Sequence, residues 1–480
     1  MQKLAASVVS FLFCKVFFKV FLRAYIPSSF AFRPSSFSIF TATMSIQIPQ
    51  LPKGTRDFYP EAQRIQNYIF DTWRNVAESF AYEEYEGPMF EHLELYTGKS
   101  GEEIVSQLYN FKDKGDREIA LRPEMTPTLA RLVIQKAREL KKPFKWFSMP
   151  RLFRYEKAQK GRLREFFQLN MDIIGTESIY AEADLLASIA TMLRKFGLKD
   201  GEFAIGVSSR KLLATYLEEI GAPNPALVYP VLDRRLKIGP EAFAKALAEA
   251  GLTEEQVKKL DDFMGCKSIE EVRNAVHSEN AGAALKEIED LFETLAAAGY
   301  GDCVNLDLSI VRGLAYYTGI VFEVFDKGKS MRAIAGGGRY DSLTEKLGGE
   351  RIPGVGFGMG DVVLADLLAE HNLLPSPKQS VDFYIASFTN DMKKVFKTAQ
   401  AFRSQPGAKP YSVAHPLAPM KMGKQLDQAN YQGAKIVVYV DGSKAGEGEF
   451  EFKDMRTGEM FVGNPAAIVE RLKTEIKKPE

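Results

Sequence analysis

Cysteine is nearly missing from this 480-residue chain: there are three, Cys14, Cys266 and Cys303, far apart and with no Cys-x-x-Cys pair. That excludes a disulfide framework and a zinc knuckle, and it fits a reducing compartment. Histidine is as sparse. His92, His277, His371 and His415 show no ligand spacing, so no metal held by the protein is expected. An excess of charge is missing too, with 63 Lys and Arg against 62 Asp and Glu and a net charge of +1. Contact with nucleic acid must therefore come from local basic patches rather than from overall attraction. The N-terminal apolar run is interrupted by Lys15 and Lys19 before it reaches the roughly 18 residues of a membrane span, so no membrane contact is expected. Internal repeats are absent, and so are low-complexity tracts after residue 43.

Acidic residues are missing from the first 56 positions; the first is Asp57. Before it stand Lys3, Lys15, Lys19, Arg23 and Arg33 among Phe, Val, Leu and Ser, the composition of a mitochondrial transit peptide. Met44 offers a second start. Residues 1–43 are read either as a mitochondrial presequence or as an untranslated extension, which gives a cytoplasmic protein with a mitochondrial form made through that extension.

The remainder is ordinary globular material, 45% hydrophobic and 26% charged, long enough for two or three domains. Ile65, Ile69, Trp73, Val76 and Phe80 follow helical spacing over 61–80, with Pro60 just ahead. Strands are expected over 119–126 and 144–174, the latter broken by a hairpin at about 156–163. Helices at 181–196 and 210–220 enclose a strand at 203–208. From about 222 to 300 helix formers take over, with a cap at Thr253 and a stripe of Leu285, Ile288, Phe292 and Leu295, which reads as a helical insertion. Strand signals resume at 304–309, 315–325 and 332–335. After a linker at 374–378, strands at 381–387, 411–414 and 434–440 alternate with helices at 391–404 and 420–430. Two short strands and a helix at 465–477 follow, and the alternation implies a small α/β domain with a largely parallel sheet.

The chemistry lies in a few segments. In Glu165–Ile174, Gln168, Asn170 and Asp172 alternate with Leu169, Met171 and Ile173, so a strand puts the three polar groups on one face. That face is either solvated or lines a polar binding site. Glu124 and Thr126 repeat the two-residue spacing. The segment 153–164 carries a basic hairpin tip, Lys157, Lys160 and Arg162, and Arg154 at a strand end, where a guanidinium could grip phosphate or carboxylate. Arg312, Tyr316 and Tyr317 lead into a strand and offer a cation and phenols to a pocket. Gly336-Gly337-Gly338-Arg339-Tyr340-Asp341 allows close approach, but it is neither a Walker loop nor a Rossmann fingerprint.

In this order, the segments 51–57 (LPKGTRD), 121–124 (LRPE), 153–156 (FRYE), 312–314 (RGL), 316–317 (YY) and 336–341 (GGGRYD) resemble the histidyl-tRNA synthetases, which are class II aminoacyl-tRNA synthetases. The resemblance runs from about Leu51 to the C-terminus. It implies an α+β fold: a class II antiparallel sheet flanked by helices over 44–373, the helical insertion, and an α/β anticodon-binding domain over 378–480. It implies a homodimer formed through the helix 61–80 and a strand containing Pro88, and ATP with Mg²⁺, L-histidine and tRNA(His) as reaction partners. By resemblance, Glu124 and Thr126 hold the α-ammonium of histidine, and Gln168 contacts the amino acid and the adenylate. Asp172 and Tyr317 read the imidazole, with Tyr316 and Tyr340 shaping the pocket. Arg154 and Arg312 flank the α-phosphate of ATP. Two positions depart from the family pattern. Val363 stands where the third class II motif carries an arginine that stacks on the nucleotide, and Ala315 stands where many members carry an acid. Arg332 is the expected substitute for the missing arginine at the ATP site. A catalytically silent paralogue on the same fold is the competing reading, and Val363 is what favours it. In the C-terminal domain Arg403, Lys421 and Lys424 are either phosphate contacts for tRNA or ordinary surface residues.

Overall fold

Alternation at a period of two decides how the main sheet lies. The computed structural model describes residues 50–473, apart from 98–105, 234, 236–237, 313, 315, 329, 377 and 379. The N-terminal extension with Met44, Ala315 and the expected helical positions 474–477 fall outside the described residues. The N-terminal half contributes β1 (Glu83–Glu84), β2 (Phe90–His92), β3 (Tyr109–Lys112), β4 (Glu118–Leu121), β5 (Phe144–Ser148), β6 (Arg151–Phe153), β7 (Glu165–Ile174) and β8 (Phe203–Ser209). After the helical segment come β9 (Val304–Leu306), β10 (Ile320–Asp326), β11 (Ala335–Arg339) and β12 (Gly354–Gly360). They join in the order β1-β5-β7-β12-β11-β10-β8-β9, with β6 also on β7; β2, β4 and β3 form a small separate sheet. The inner pairings are antiparallel, and only the edge pairs β1–β5 and β8–β9 run parallel. This is the α+β architecture with an antiparallel sheet that the sequence leads one to expect.

Leu169, Met171 and Ile173 of β7 point into the main core with Phe357 and Met359 of β12 and Phe322 and Val324 of β10. The same core takes Ile69, Trp73 and Val76 from the helix Pro60–Ser79 and Leu185, Leu186 and Ile189 from the helix Tyr180–Lys195. Leu285, Ile288 and Leu295 of the helix Glu279–Ala297 join it, so the stripe at the end of the helical segment packs into the main core. Earlier in that segment Thr253 caps the helix Glu254–Gly265 in a reciprocal box with Gln256.

Several boundaries differ from expectation. The strand expected over 119–126 ends at Leu121, and Thr126 opens a helix, Thr126–Gln135. Pro123 has no N–H to continue a ladder, and Pro127 suits the first turn of a helix. Pro88 lies between β1 and β2 rather than within a strand, for the same lack of a donor. The strand expected at 315–325 begins only at Ile320, leaving Tyr316 and Tyr317 in the preceding loop. The triple glycine is itself the strand β11, and Arg332 precedes it.

The C-terminal region has its own sheet: β13 (Phe383–Ala386), β14 (Val413–Ala414), β15 (Ile436–Tyr439), β16 (Phe450–Asp454) and β17 (Met460–Gly463), ordered β14-β13-β15-β16-β17. Its β13 pairs in parallel with β14 and β15, while β16 and β17 add antiparallel strands, so the sheet is mixed rather than largely parallel.

Candidate active site

The polar face of the main sheet is paved with glycine. Asp172, Asn170 and Gln168 of β7 stand opposite Gly356, Gly358 and Gly360 of β12, and Gly358 and Gly356 stand opposite Gly336 and Gly338 of β11. The glycines make room for side chains that lie over them. A Cβ on Gly356 would overlap the carboxylate of Asp172; one on Gly358 would come within 2.6 Å of the Gln168 amide carbon, and one on Gly336 within 2.5 Å of Arg312 Nη1. No larger residue fits without displacing these groups.

Two arginines from separate segments line the cavity on this face. Arg154 follows β6. Its Nε donates to the Pro123 carbonyl at 2.8 Å and its guanidinium lies 5.4 Å from the Phe166 ring. Burial pulls its pKa below the ordinary value, against the attraction of Glu124 and Glu156. Arg312 adopts φ +61°, a left-handed conformation that residues with a side chain seldom take. Its Nη1 donates to Glu323 of β10. Burial works to lower its pKa, but Tyr317 and Glu323 outweigh it and raise the value, so the guanidinium stays charged.

Two phenol–carboxylate pairs stand on the same face. Tyr316 donates to Glu124 Oε2 at 2.8 Å, and Tyr340 donates to Asp172 Oδ1 at 2.5 Å. All four side chains are buried. Burial pushes the Asp172 carboxyl up to about 7, and the Tyr340 hydroxyl offsets part of that. Burial, reinforced by the neighbouring carboxylates, raises both tyrosines well above their ordinary value, so each stays a neutral donor.

These groups surround a cavity of about 650 Å³. Glu124, Thr126, Arg154, Gln168, Arg312, Tyr316, Tyr317, Arg332 and Tyr340, which sequence reasoning singled out from separate segments, all line it. Asp172 does not line it; it stands behind Tyr340. Val363 also faces the cavity, and a Cβ on Gly161 of the basic hairpin would lie 3.4 Å from Val363 and 3.5 Å from Arg332. At the hairpin itself, Arg162 pairs with the buried Glu156 rather than standing free.

Sequence reasoning missed Glu323, the partner of Arg312. A lone acid in Ile320–Asp326, otherwise apolar up to its last residue, was the available signal. It also missed Gly356, Gly358 and Gly360, whose two-residue spacing mirrors the polar stripe. The acids lining the cavity are already engaged: Glu124 with Tyr316, Glu156 with Arg162, Asp307 with Ser309 and Glu323 with Arg312. Among the described residues no group of three His, Cys, Asp or Glu side chains could hold a metal ion, and no helix is long and apolar enough to cross a membrane.

Comparison with known proteins agrees with this geometry. A model of the histidyl-tRNA synthetase family matches residues 54–361. The chain is 41% identical over 411 residues to the histidine–tRNA ligase of Opitutus terrae, covering 84% of this chain and 93% of that one. It is 39% identical over 413 residues to the chloroplastic/mitochondrial histidine–tRNA ligase of Arabidopsis thaliana, covering 85% of this chain and 84% of that one. The crystal structure of histidyl-tRNA synthetase from Nostoc sp. PCC 7120 superposes with a TM-score of 0.74 at 25% identity, covering 88% of this chain and all of that one.

Proposed function

The chain belongs to the histidyl-tRNA synthetase family, and from that membership we propose how its cavity performs the reaction. It is a histidine–tRNA ligase: ATP activates L-histidine, and the histidyl group is transferred to tRNA(His). The observation that carries the assignment of roles is the joint placement of two phenol–carboxylate pairs and two arginines over one glycine-paved sheet face.

Glu124 and Thr126 take the α-ammonium of histidine at the end where Tyr316 holds the Glu124 carboxylate in place. Gln168, lying over Gly358, contacts the amino acid and then the adenylate. Tyr317 and Tyr340 meet the imidazole. Because Tyr340 donates its O–H hydrogen bond to Asp172, its oxygen offers lone pairs alone, and Asp172 reads the ring through that hydroxyl. A different amino acid leaves these buried groups unpaired, and rejection on that basis can reach about 10⁴–10⁵.

Arg154 and Arg312 flank the α-phosphate. The histidine carboxylate oxygen attacks the α-phosphorus, the bond to the bridging oxygen breaks, and pyrophosphate leaves. The two guanidiniums stabilise the charge that develops, and positioning supplies most of the remainder. A terminal ribose hydroxyl of tRNA then attacks the adenylate carbonyl and AMP leaves. Mg²⁺ would come with ATP and would neutralise charge on its phosphates. Arg332 supplies the cation absent at Val363, supported by the two side chains lining the same cavity and lying near the same space beside Gly161. If Arg332→Ala leaves the apparent ATP affinity unchanged, that substitution is wrong.

The C-terminal domain, residues 378–480, contacts tRNA. Lys421 and Lys424 are exposed, whereas Arg403 already donates to the Val413 carbonyl at 2.8 Å, so the two lysines are the better phosphate ligands. The exposed Met89 and Phe90 beside Pro88, with Phe111, support a homodimer through the helix Pro60–Ser79 and the segment around Pro88. The acid-free N-terminus and the organellar relative support a mitochondrial form beside a cytoplasmic one. A uniformly cytosolic signal from residues 1–50 fused to a fluorescent reporter would remove it. The function itself is tested by charging a tRNA(His) transcript with labelled histidine; a folded protein that charges none contradicts it.

A further inference from the structure

Arg210, the first residue of the helix Arg210–Glu219, holds both ends of the segment 311–319. Its backbone N–H donates to the Gly319 carbonyl at 2.9 Å. Its side chain turns the other way: Nε donates to the Val311 carbonyl at 2.9 Å and Nη2 to the carbonyl of Arg312. A planar guanidinium suits two successive carbonyls in a way that a lysine ammonium does not. The segment closed in this way carries Arg312, Tyr316 and Tyr317, all of which line the cavity, while Arg210 does not. It also contains the left-handed residue Arg312, a conformation that persists only where the surroundings fix it.

The guanidinium of Arg210 is itself backed by a ring. Tyr229, on the helix Pro225–Asp233, lies 5.2 Å from it. That helix is the first of the segment 222–300, and its Leu232 lines the cavity. A chain of contacts therefore runs from the helical segment through Tyr229 and Arg210 to the backbone of Arg312.

We propose that Arg210, backed by Tyr229, is a positioning residue that sets Arg312 at the phosphate end of the cavity and couples the helical segment 222–300 to the activation step. This rests on the assignment of Arg312 to the α-phosphate. Arg210→Lys keeps the charge and loses the fork. The kcat of histidine-dependent pyrophosphate exchange is expected to fall roughly 10- to 100-fold, as a small misplacement of a catalytic group can cost, while KM for histidine holds at the parent value.

In the double variant with Arg312→Gln, Arg210→Lys costs nothing further, because the group it positions is already gone. A general structural defect would instead multiply the two losses, and that result, or a parental kcat in Arg210→Lys, overturns the inference. An unimpaired Arg312→Gln strikes at the assignment of Arg312 and removes the premise. Should Arg210→Lys fail to fold, Tyr229→Phe and Tyr229→Leu decide. Loss of kcat in the leucine variant alone supports the coupling, and equal kcat in both overturns it.

Discussion

The two sheets of this protein use their faces differently. In the C-terminal sheet both faces are apolar: Phe383, Ile385, Ile436 and Val438 enter one core, and Tyr384, Ala386, Val437 and Tyr439 enter another. In the main sheet the same alternation places Leu169, Met171 and Ile173 in the core and Gln168, Asn170 and Asp172 on a face floored with glycine. A sheet covered on both sides has no face to offer a small molecule. A sheet covered on one side offers a rigid floor over which charged groups are held by partners in the strands and in the loops that flank them. Activation chemistry needs the second arrangement, and tRNA recognition is compatible with the first.

Breaking the polar face gives the largest effect. Arg154→Gln removes a preorganised cation, and exchange of pyrophosphate is expected to fall by about 10²–10³, with the melting temperature near that of the parent. Asp172→Asn comes next, with a selective loss in kcat/KM for histidine. Two pH dependences accompany it. In the parent, kcat/KM for histidine falls as pH drops through about 7, where Asp172 takes up a proton; Asp172→Asn lacks that step.

Stability moves the other way. The folded carboxyl titrates near 7 and the unfolded one near 4, so between those values the folded state holds a proton that the unfolded chain releases. Stability therefore declines as pH rises through that window, by an amount on the order of a few kcal/mol. Asp172→Asn removes this decline, and thermal melts at pH 8 should show the variant at least as stable as the parent. The smallest effect on activation comes from the other sheet. Ile436→Ala empties a fully buried site and costs about 2–5 kcal/mol. At a temperature where the domain loosens, charging of tRNA falls while pyrophosphate exchange holds.

What the sequence could reveal follows from the range of the interactions. The stripe of β7 is legible because a period of two is local. The C-terminal alternation is legible for the same reason, although the direction of β16 and β17 depends on pairing that no local pattern encodes. Glu124 and Thr126 belong to the cavity as expected, but by way of a turn and a helix start. The alternation there was misleading, and Pro123 and Pro127 were the better signal. Glu323 stands out in its strand once Arg312 needs a partner. The hold of Arg210 on Arg312 is illegible. The two lie 102 residues apart, and the acceptor is a backbone carbonyl, which leaves no mark on residue type.

The most direct measurement is pyrophosphate exchange into ATP with residues 44–480, offering each amino acid in turn. Exchange with histidine and with no other amino acid is the predicted result; it would show that the polar face is a working activation site despite Val363. A folded protein that binds histidine yet supports no exchange would contradict the account and place the loss at the ATP end of the cavity.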